Sequence, residues 1–355
     1  MLSHKSRQGW DNLPSKPRPL PSSRIIERVA EKIRGWQPVA CVVVAVLVLS
    51  CGVFGWGPDG HQFVSRAAAM HVPQEMPAFF RSAVDQLEYL GPEPDRWRSP
   101  SEPSLKNAQD PEHYIDLELL EGFGELPRKR FDYFRKIEAF RLSDAPPSPA
   151  LLAIAGDQLP AREAKQKFLT PEAIGLQPWI TVEVYERLIV AFREYRQLLK
   201  EGKPTKPAEE TAIFYAGWLG HYVGDGANPM HTTIYYNGWV GPNPHGYTTS
   251  KSTHYEFENR FVHDNIKFDE VSSGMQPAAL IQGDVFSAYL QYLRDSNGLV
   301  DKAYQLEKAG AFQQAGTHEG REFVIARLSA GAQELVDLWY TAWIESEKSP
   351  AANKP

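Results

Sequence analysis

Along most of the chain apolar residues return every three to four positions, the period of a helix with one buried face. GHQFVSRAAAM (60–70) is alanine-rich and amphipathic, and MPAFFRSAVDQLEYLG (76–91) keeps the same period to a stop at Gly91. The pattern breaks over 91–112, GPEPDRWRSPSEPSLKNAQDPE, which reads as a proline-rich loop, and again from about Leu142 to Pro178. It returns in TVEVYERLIVAFREYRQLLKEG (181–202), PAEETAIFYAGWLGHYVGD (207–225), PAALIQGDVFSAYLQYLRDS (277–296) and GREFVIARLSAGAQELVDLWYTAWIES (320–346). Alternating runs bounded by hairpin turns are absent. The expectation is an all-α fold: one helical domain over 56–348 with long loops, no internal repeat, and a disordered tail over 349–355.

The first 55 residues do not share this pattern. Up to residue 38 they are rich in Pro, Ser and basic residues, with eight Lys or Arg against three acids; VACVVVAVLVLSCGVFG, Val39–Gly55, then carries no charge. A basic stretch, an apolar stretch and slim residues around Phe54 fit an export signal cut before Trp56, which implies a secreted or periplasmic protein. Uncleaved, the segment would be a membrane anchor, although the 16 residues from Val39 to Phe54 fall short of the roughly 18 to 20 that a spanning helix needs. Lipid modification at Cys51 is a third reading, for which Leu49 and Ser50 make a poor signal. Both cysteines, Cys41 and Cys51, lie in this segment, so the processed chain would hold no disulfide, and bound metal is the obvious alternative brace. The whole chain carries −6 and its first 55 residues +5, leaving −11 for the rest. Such a body does not attract polyanions from a distance, so any phosphate handled here must be drawn by a local positive centre.

The costly residues are concentrated. In HYVGDGANPMH, His221 and Asp225 stand four apart inside an apolar helix and so share a face, along with Phe214 and Trp218. Gly226 and Pro229 end that helix and carry His231 round the turn. THYEFENRF repeats the four-residue spacing with His254 and Glu258. Imidazole nitrogen and carboxylate oxygen are the usual zinc donors, and helical pairs deliver two of them without loop entropy. A lone pair of this kind is ordinarily a surface ion pair or a satisfied core histidine; two pairs and His231 within forty residues point to metal. Upstream, WGPDGH offers Trp56 and His61, PDRWR offers Asp95 and Arg98, and PEHYID offers His113 and Asp116. Cleavage before Trp56 would free an α-amino group that, with the first carbonyl, chelates a metal.

Taken in order, WGPDGH, PDRWR, HYID, HYVGDGANPMH and HYEFE resemble the superfamily of zinc-dependent phospholipases C and S1/P1 nucleases, an all-helical fold with three clustered zinc ions. The resemblance spans roughly Trp56 to Val262. It implies that Asp95, His113, His221 and Asp225 hold one zinc. The α-amino and carbonyl groups of Trp56, with His61, would hold a second, bridged by Asp225. His231, His254 and Glu258 would hold a third, more exposed one.

The branch is set by smaller features. The spacing within WGPDGH and the DRWR motif resemble the nucleases, with Arg98 at the position of a phosphate-binding arginine. HYID matches the nuclease base pocket, where Tyr114 would stack on the base and Asp116 would hydrogen-bond its edge. FYAGWLGHYVGDGANPMH and Glu258 instead resemble the phospholipases, the nucleases usually having aspartate at the latter position. The fungal and plant nucleases also carry disulfides, and the segment between His113 and His221 is long enough to remodel the cleft. Zinc ions sharing a water lower its pKa from about 16 towards 7 for in-line attack on a phosphodiester. The third zinc and Arg98 would neutralise developing charge, while Asp95 could also orient the nucleophile. The expected activity is cleavage of single-stranded nucleic acid or nucleotides to 5′-nucleotides, since stacking on Tyr114 requires an unpaired base. The alternative substrate is a phosphatidylcholine-like phospholipid. A closed, non-catalytic zinc protein is disfavoured, because structural zinc sites are usually single four-ligand cages. No stable protein partner is implied, and a monomer is expected. His71, His245, His263 and His318 lack paired acids at ligand spacing and are read as structural. The aromatics of ELVDLWYTAWIES are read as core, and EYRQLLKEGKPTK as a solvated helix end.

Overall fold

The computed structural model describes residues 56–156 and 159–348. The export segment, with Cys41 and Cys51, and the tail 349–355 lie outside them. The described residues belong to one compact unit. There is no strand among them, and an isolated bridge pairs Ile115 with Gly175. Nor is any helix among them long and apolar enough to cross a membrane.

Helix Lys206–Ala227 lies at the centre. A short turn joins it to Gln177–Lys200, and it also packs on Pro58–Met70, Val84–Leu90 and His318–Glu345. Its glycines admit so many close neighbours. A Cβ at Gly217 would fall 2.3 Å from Leu90 Cβ, and one at Gly224 would fall 3.1 Å from His61 Nδ1. An interior glycine costs a helix up to about 1 kcal/mol against alanine; here the close approach of neighbouring helices offsets that cost. Aromatic rings fill the space beyond. Phe80 packs edge-on against Phe192 and Trp339, and Phe192 against Trp343. The aromatics of ELVDLWYTAWIES are thus core, with Trp339 and Trp343 both buried.

Two stretches expected as loop are largely helical. Residues 91–112 form Glu93–Arg96, Pro103–Gln109 and the 3-10 turn Asp110–His113, while 142–178 holds Pro149–Ala155, Ala161–Phe168 and Pro171–Ile174. Five of these six elements have a proline in their first turn, where the missing N–H costs nothing and the fixed φ favours a helix. Helix Arg130–Leu142 has no counterpart in the sequence reading: Tyr133 and Ile137 face inward, but Phe131 and Leu142 face solvent and blur the period. The helix expected over 277–296 starts only at Val285, capped by Asp284, whose carboxylate accepts the Ser287 N–H at 2.8 Å. The end of Gln177–Lys200 is anchored rather than simply solvated. Arg196 lies over the Trp343 ring and donates to Trp343 O at 3.0 Å and Ser346 Oγ at 2.8 Å.

Candidate metal centre

Five segments converge on the end of the central helix, which makes a sixth contributor. Pro58–Met70 supplies His61, Glu93–Arg96 supplies Asp95, the 3-10 turn supplies His113, and the central helix itself supplies His221 and Asp225 one turn apart. The 3-10 turn Pro229–His231 and the segment from Thr253 add His231, His254 and Glu258. All eight side chains are buried.

In the first group His221 Nε2 lies 2.9 Å from His113 Nδ1. Asp225 Oδ2 is 3.2 Å from His113 Nδ1 and 3.3 Å from His221 Nε2, and Asp95 Oδ1 is 3.7 and 3.8 Å from the same two nitrogens. A tetrahedral ion with bonds near 2.0–2.1 Å has donor-to-donor edges of about 3.3–3.4 Å, and these separations straddle that value. His221 Nδ1–H donates to Gly91 O at 2.9 Å, so its Nε2 lone pair is the one turned into the group.

The second group shares residues with the first. His61 Nε2 is 3.4 Å from Asp225 Oδ1, the oxygen not used above, and 4.0 Å from Asp95 Oδ2. The His61 and His221 rings stack with centroids 3.9 Å apart. Both ring nitrogens of His61 and Oδ1 of Asp225 are buried with no hydrogen-bond partner, which is costly unless something else binds them. Trp56 is fixed beside them. Its Nε1–H donates to Gly224 O at 2.8 Å, its ring packs on Phe257, and its backbone amide partly offsets the upward shift of the Asp225 carboxyl. Its carbonyl accepts the His61 N–H at 3.3 Å in the first helical turn.

The third group is tighter. Glu258 Oε2 lies 2.6 Å from His254 Nε2 and 3.4 Å from His231 Nε2, and those two nitrogens are 3.1 Å apart. His231 Nδ1–H donates to His113 O at 2.7 Å, which again turns Nε2 inward. Glu258 sits in a π-helical turn, Glu256–Arg260, between α-helical segments. Such turns interrupt helices mostly at functional positions.

Without a cation, burial makes every charge here expensive. It pulls His61 down to about 4 against the opposing attraction of Asp95, and it holds His113, His221 and His254 well below the usual imidazole value. Burial also lifts Asp95 to about 6, Asp225 to about 7 and Glu258 well above the carboxylate range. The groups therefore combine neutral imidazoles with acids that hold their protons to higher pH than ordinary carboxyls. A divalent cation would displace those protons. Each of the three groups could hold a metal ion.

The other sequence candidates fall around this centre. Arg98 is engaged by two carboxylates, Asp95 at 3.3 Å and Asp110 at 3.0 Å. Tyr114 follows His113 and its hydroxyl donates to Glu172 O at 2.6 Å. Burial and the neighbouring Glu118 push the Asp116 carboxyl well up, and Tyr114 and Tyr236 each feel its charge. Tyr236 escaped the sequence reading: it is exposed, and its ring lies 6.1 Å from that of His254. Two of the four histidines set aside do pair with acids, His263 with Asp59 at 2.6 Å and His318 with Glu322 at 3.1 Å. Both pairs are on the surface with no third donor, so they remain outside the centre. His71 Nδ1–H donates to Ala67 O at 2.8 Å at the end of its own helix, and His245 stacks on Tyr247.

No family model matches the chain, and no curated protein or solved structure matches it either. Fold and site by themselves define an all-helical protein with three buried His/Asp/Glu groups able to hold metal ions.

Proposed function

We propose that the chain is a zinc-dependent phosphodiester hydrolase of the phospholipase C and S1/P1 nuclease type, cleaving single-stranded nucleic acid to 5′-nucleotides. The observation that carries this reading is Asp225. Its Oδ2 faces His113 and His221 at 3.2 and 3.3 Å while its Oδ1 faces His61 at 3.4 Å, as expected of a carboxylate bridging two cations. Zinc is favoured over harder cations by the imidazole-rich side-chain donor set, five histidines and three carboxylates. Bound there, zinc supplies Lewis acidity for attack at phosphorus.

The chain's own groups supply the rest. The Gly91 and His113 carbonyls hold His221 and His231 in the tautomers that leave their Nε2 atoms free to bind. Arg98 uses Nε and Nη1 on Asp110 and Asp95, which aims the guanidinium and leaves Nη2 for a phosphoryl oxygen. Tyr114, its hydroxyl tied to the Glu172 carbonyl, offers a ring face for stacking, and Asp116, whose carboxyl burial pushes well up, would hydrogen-bond a base edge. Export with cleavage before Trp56 would turn the backbone amide that acts on Asp225 into an α-amino group.

Phospholipase C action is the second reading, favoured by Glu258 in the third group. A paired assay separates the two: single-stranded DNA and phosphatidylcholine vesicles, each with and without chelator. Chelator-sensitive nucleotide release supports the nuclease, phosphocholine release alone supports the phospholipase, and neither product from a zinc-loaded protein rejects the hydrolase reading.

A further inference from the structure

Asn228 is completely buried and follows the end of the central helix, between the first two metal groups and the third. Its backbone N–H donates to Asp225 O at 2.9 Å, and its backbone carbonyl accepts the His231 N–H at 3.0 Å. Its side-chain Oδ1 accepts the Met230 N–H at 2.9 Å, closing the turn that carries His231. That bond fixes which end of the amide is which, so the group facing Glu258 is the NH2: Nδ2 donates to Glu258 Oε2 at 3.1 Å.

From this we infer that Asn228 is the positioning residue that sets the third group in register with the other two. The inference rests on the metal reading proposed above. One residue touches Asp225, His231 and Glu258, a member of each group that must be held at fixed separation. The chemistry of the contact also matters. Glu258 Oε2 is the oxygen approached by both His254 and His231, so its carboxylate rotamer decides whether three donors converge. A neutral amide orients that oxygen while adding no charge; a lysine or arginine there would compete with the cation for the carboxylate. Outer partners of this kind typically contribute 10–100-fold in metal affinity.

The test uses the full chain, stripped of metal and titrated with zinc in a competing chelator buffer, with the bound zinc counted by elemental analysis. Asn228→Ser keeps a short acceptor for the Met230 N–H and removes the donor to Glu258. It should weaken one of three zinc equivalents about 10- to 100-fold and leave the other two at wild-type affinity. Combined with Glu258→Gln, which weakens the same equivalent, it should add little further loss; full additivity would mean that Asn228 does not act through Glu258. Should the serine variant not fold, Asn228→Asp has the same shape, keeps the turn and loses the donor, and the same selective loss is expected. Three equivalents of wild-type affinity in a folded variant overturn the role of Asn228 alone. A wild-type protein that takes up no zinc overturns the metal reading itself and this inference with it.

Discussion

His113 Nδ1 and His221 Nε2 face each other at 2.9 Å in a pocket walled by two carboxylates. Because the other nitrogen of His221 already donates to Gly91, the neutral ring brings only a lone pair to this meeting. A cation between the two nitrogens satisfies both and neutralises Asp95 and Asp225 at once. Replacing His221 by alanine should therefore abolish one zinc equivalent and reduce turnover by more than about 100-fold, above what loss of an outer partner costs. The same variant that kept its zinc count would remove the first group from the account.

Gly91 is the less obvious test of the same relationship. A Cβ there would lie 2.6 Å from Ser65 Oγ and 2.7 Å from the His61 backbone oxygen, so an alanine must displace the helix carrying His61. Gly91→Ala is expected to destabilise the fold by about 1–3 kcal/mol and to weaken zinc binding, although residue 91 touches no ion. Thermal unfolding and zinc titration of the same sample read both effects.

The buried acids make the effect of metal depend on pH in a definite direction. Without a cation the folded Asp95 and Asp225 titrate near 6 and 7, well above ordinary aspartate, so the folded state holds protons that the unfolded chain has released. Their contribution to stability is complete below about pH 4 and is lost as the pH rises to about 7. With a cation bound the carboxylates are ionised and this loss disappears, while the histidines are neutral in both forms and cancel from the difference. The gap in Tm between zinc-loaded and zinc-free protein should widen between pH 5 and pH 8, and zinc uptake near pH 6 should release protons. A gap that narrows with rising pH contradicts the assignment of these acids.

Substrate choice is tested at Tyr114. Stacking of one base on an aromatic ring is worth about 1–3 kcal/mol, so Tyr114→Ala should raise KM for single-stranded DNA about 5- to 150-fold. Zinc content should not change, since the ring is not among the donors. Hydrolysis of a small phosphodiester lacking a base should be nearly unaffected, and an equal loss on both substrates would assign Tyr114 a structural role instead.

The donors were legible because each rests on a local rule: His221 with Asp225, and His254 with Glu258, follow the four-residue spacing that puts two side chains on one helical face. That rule alone is not sufficient. His318 and Glu322 keep the same spacing on the surface and assemble nothing, and burial among further donors separates the cases. Misreading of the segments around the site had one main cause. Proline marks loops and first helical turns alike, and here Pro94 and Pro111 open the short helical elements that present Asp95 and His113. Long-range partners left no trace in the sequence: that Gly91 anchors His221, or that Asn228 reaches Glu258, follows only from helices meeting in space.

The most direct test is to count zinc in the chain beginning at Trp56 and to assay that same sample on single-stranded DNA before and after chelation. Three zinc ions per chain, with release of 5′-nucleotides that chelator stops and added zinc restores, is the result predicted here. Fewer than two zinc ions with no hydrolysis of any phosphodiester would contradict the central claim.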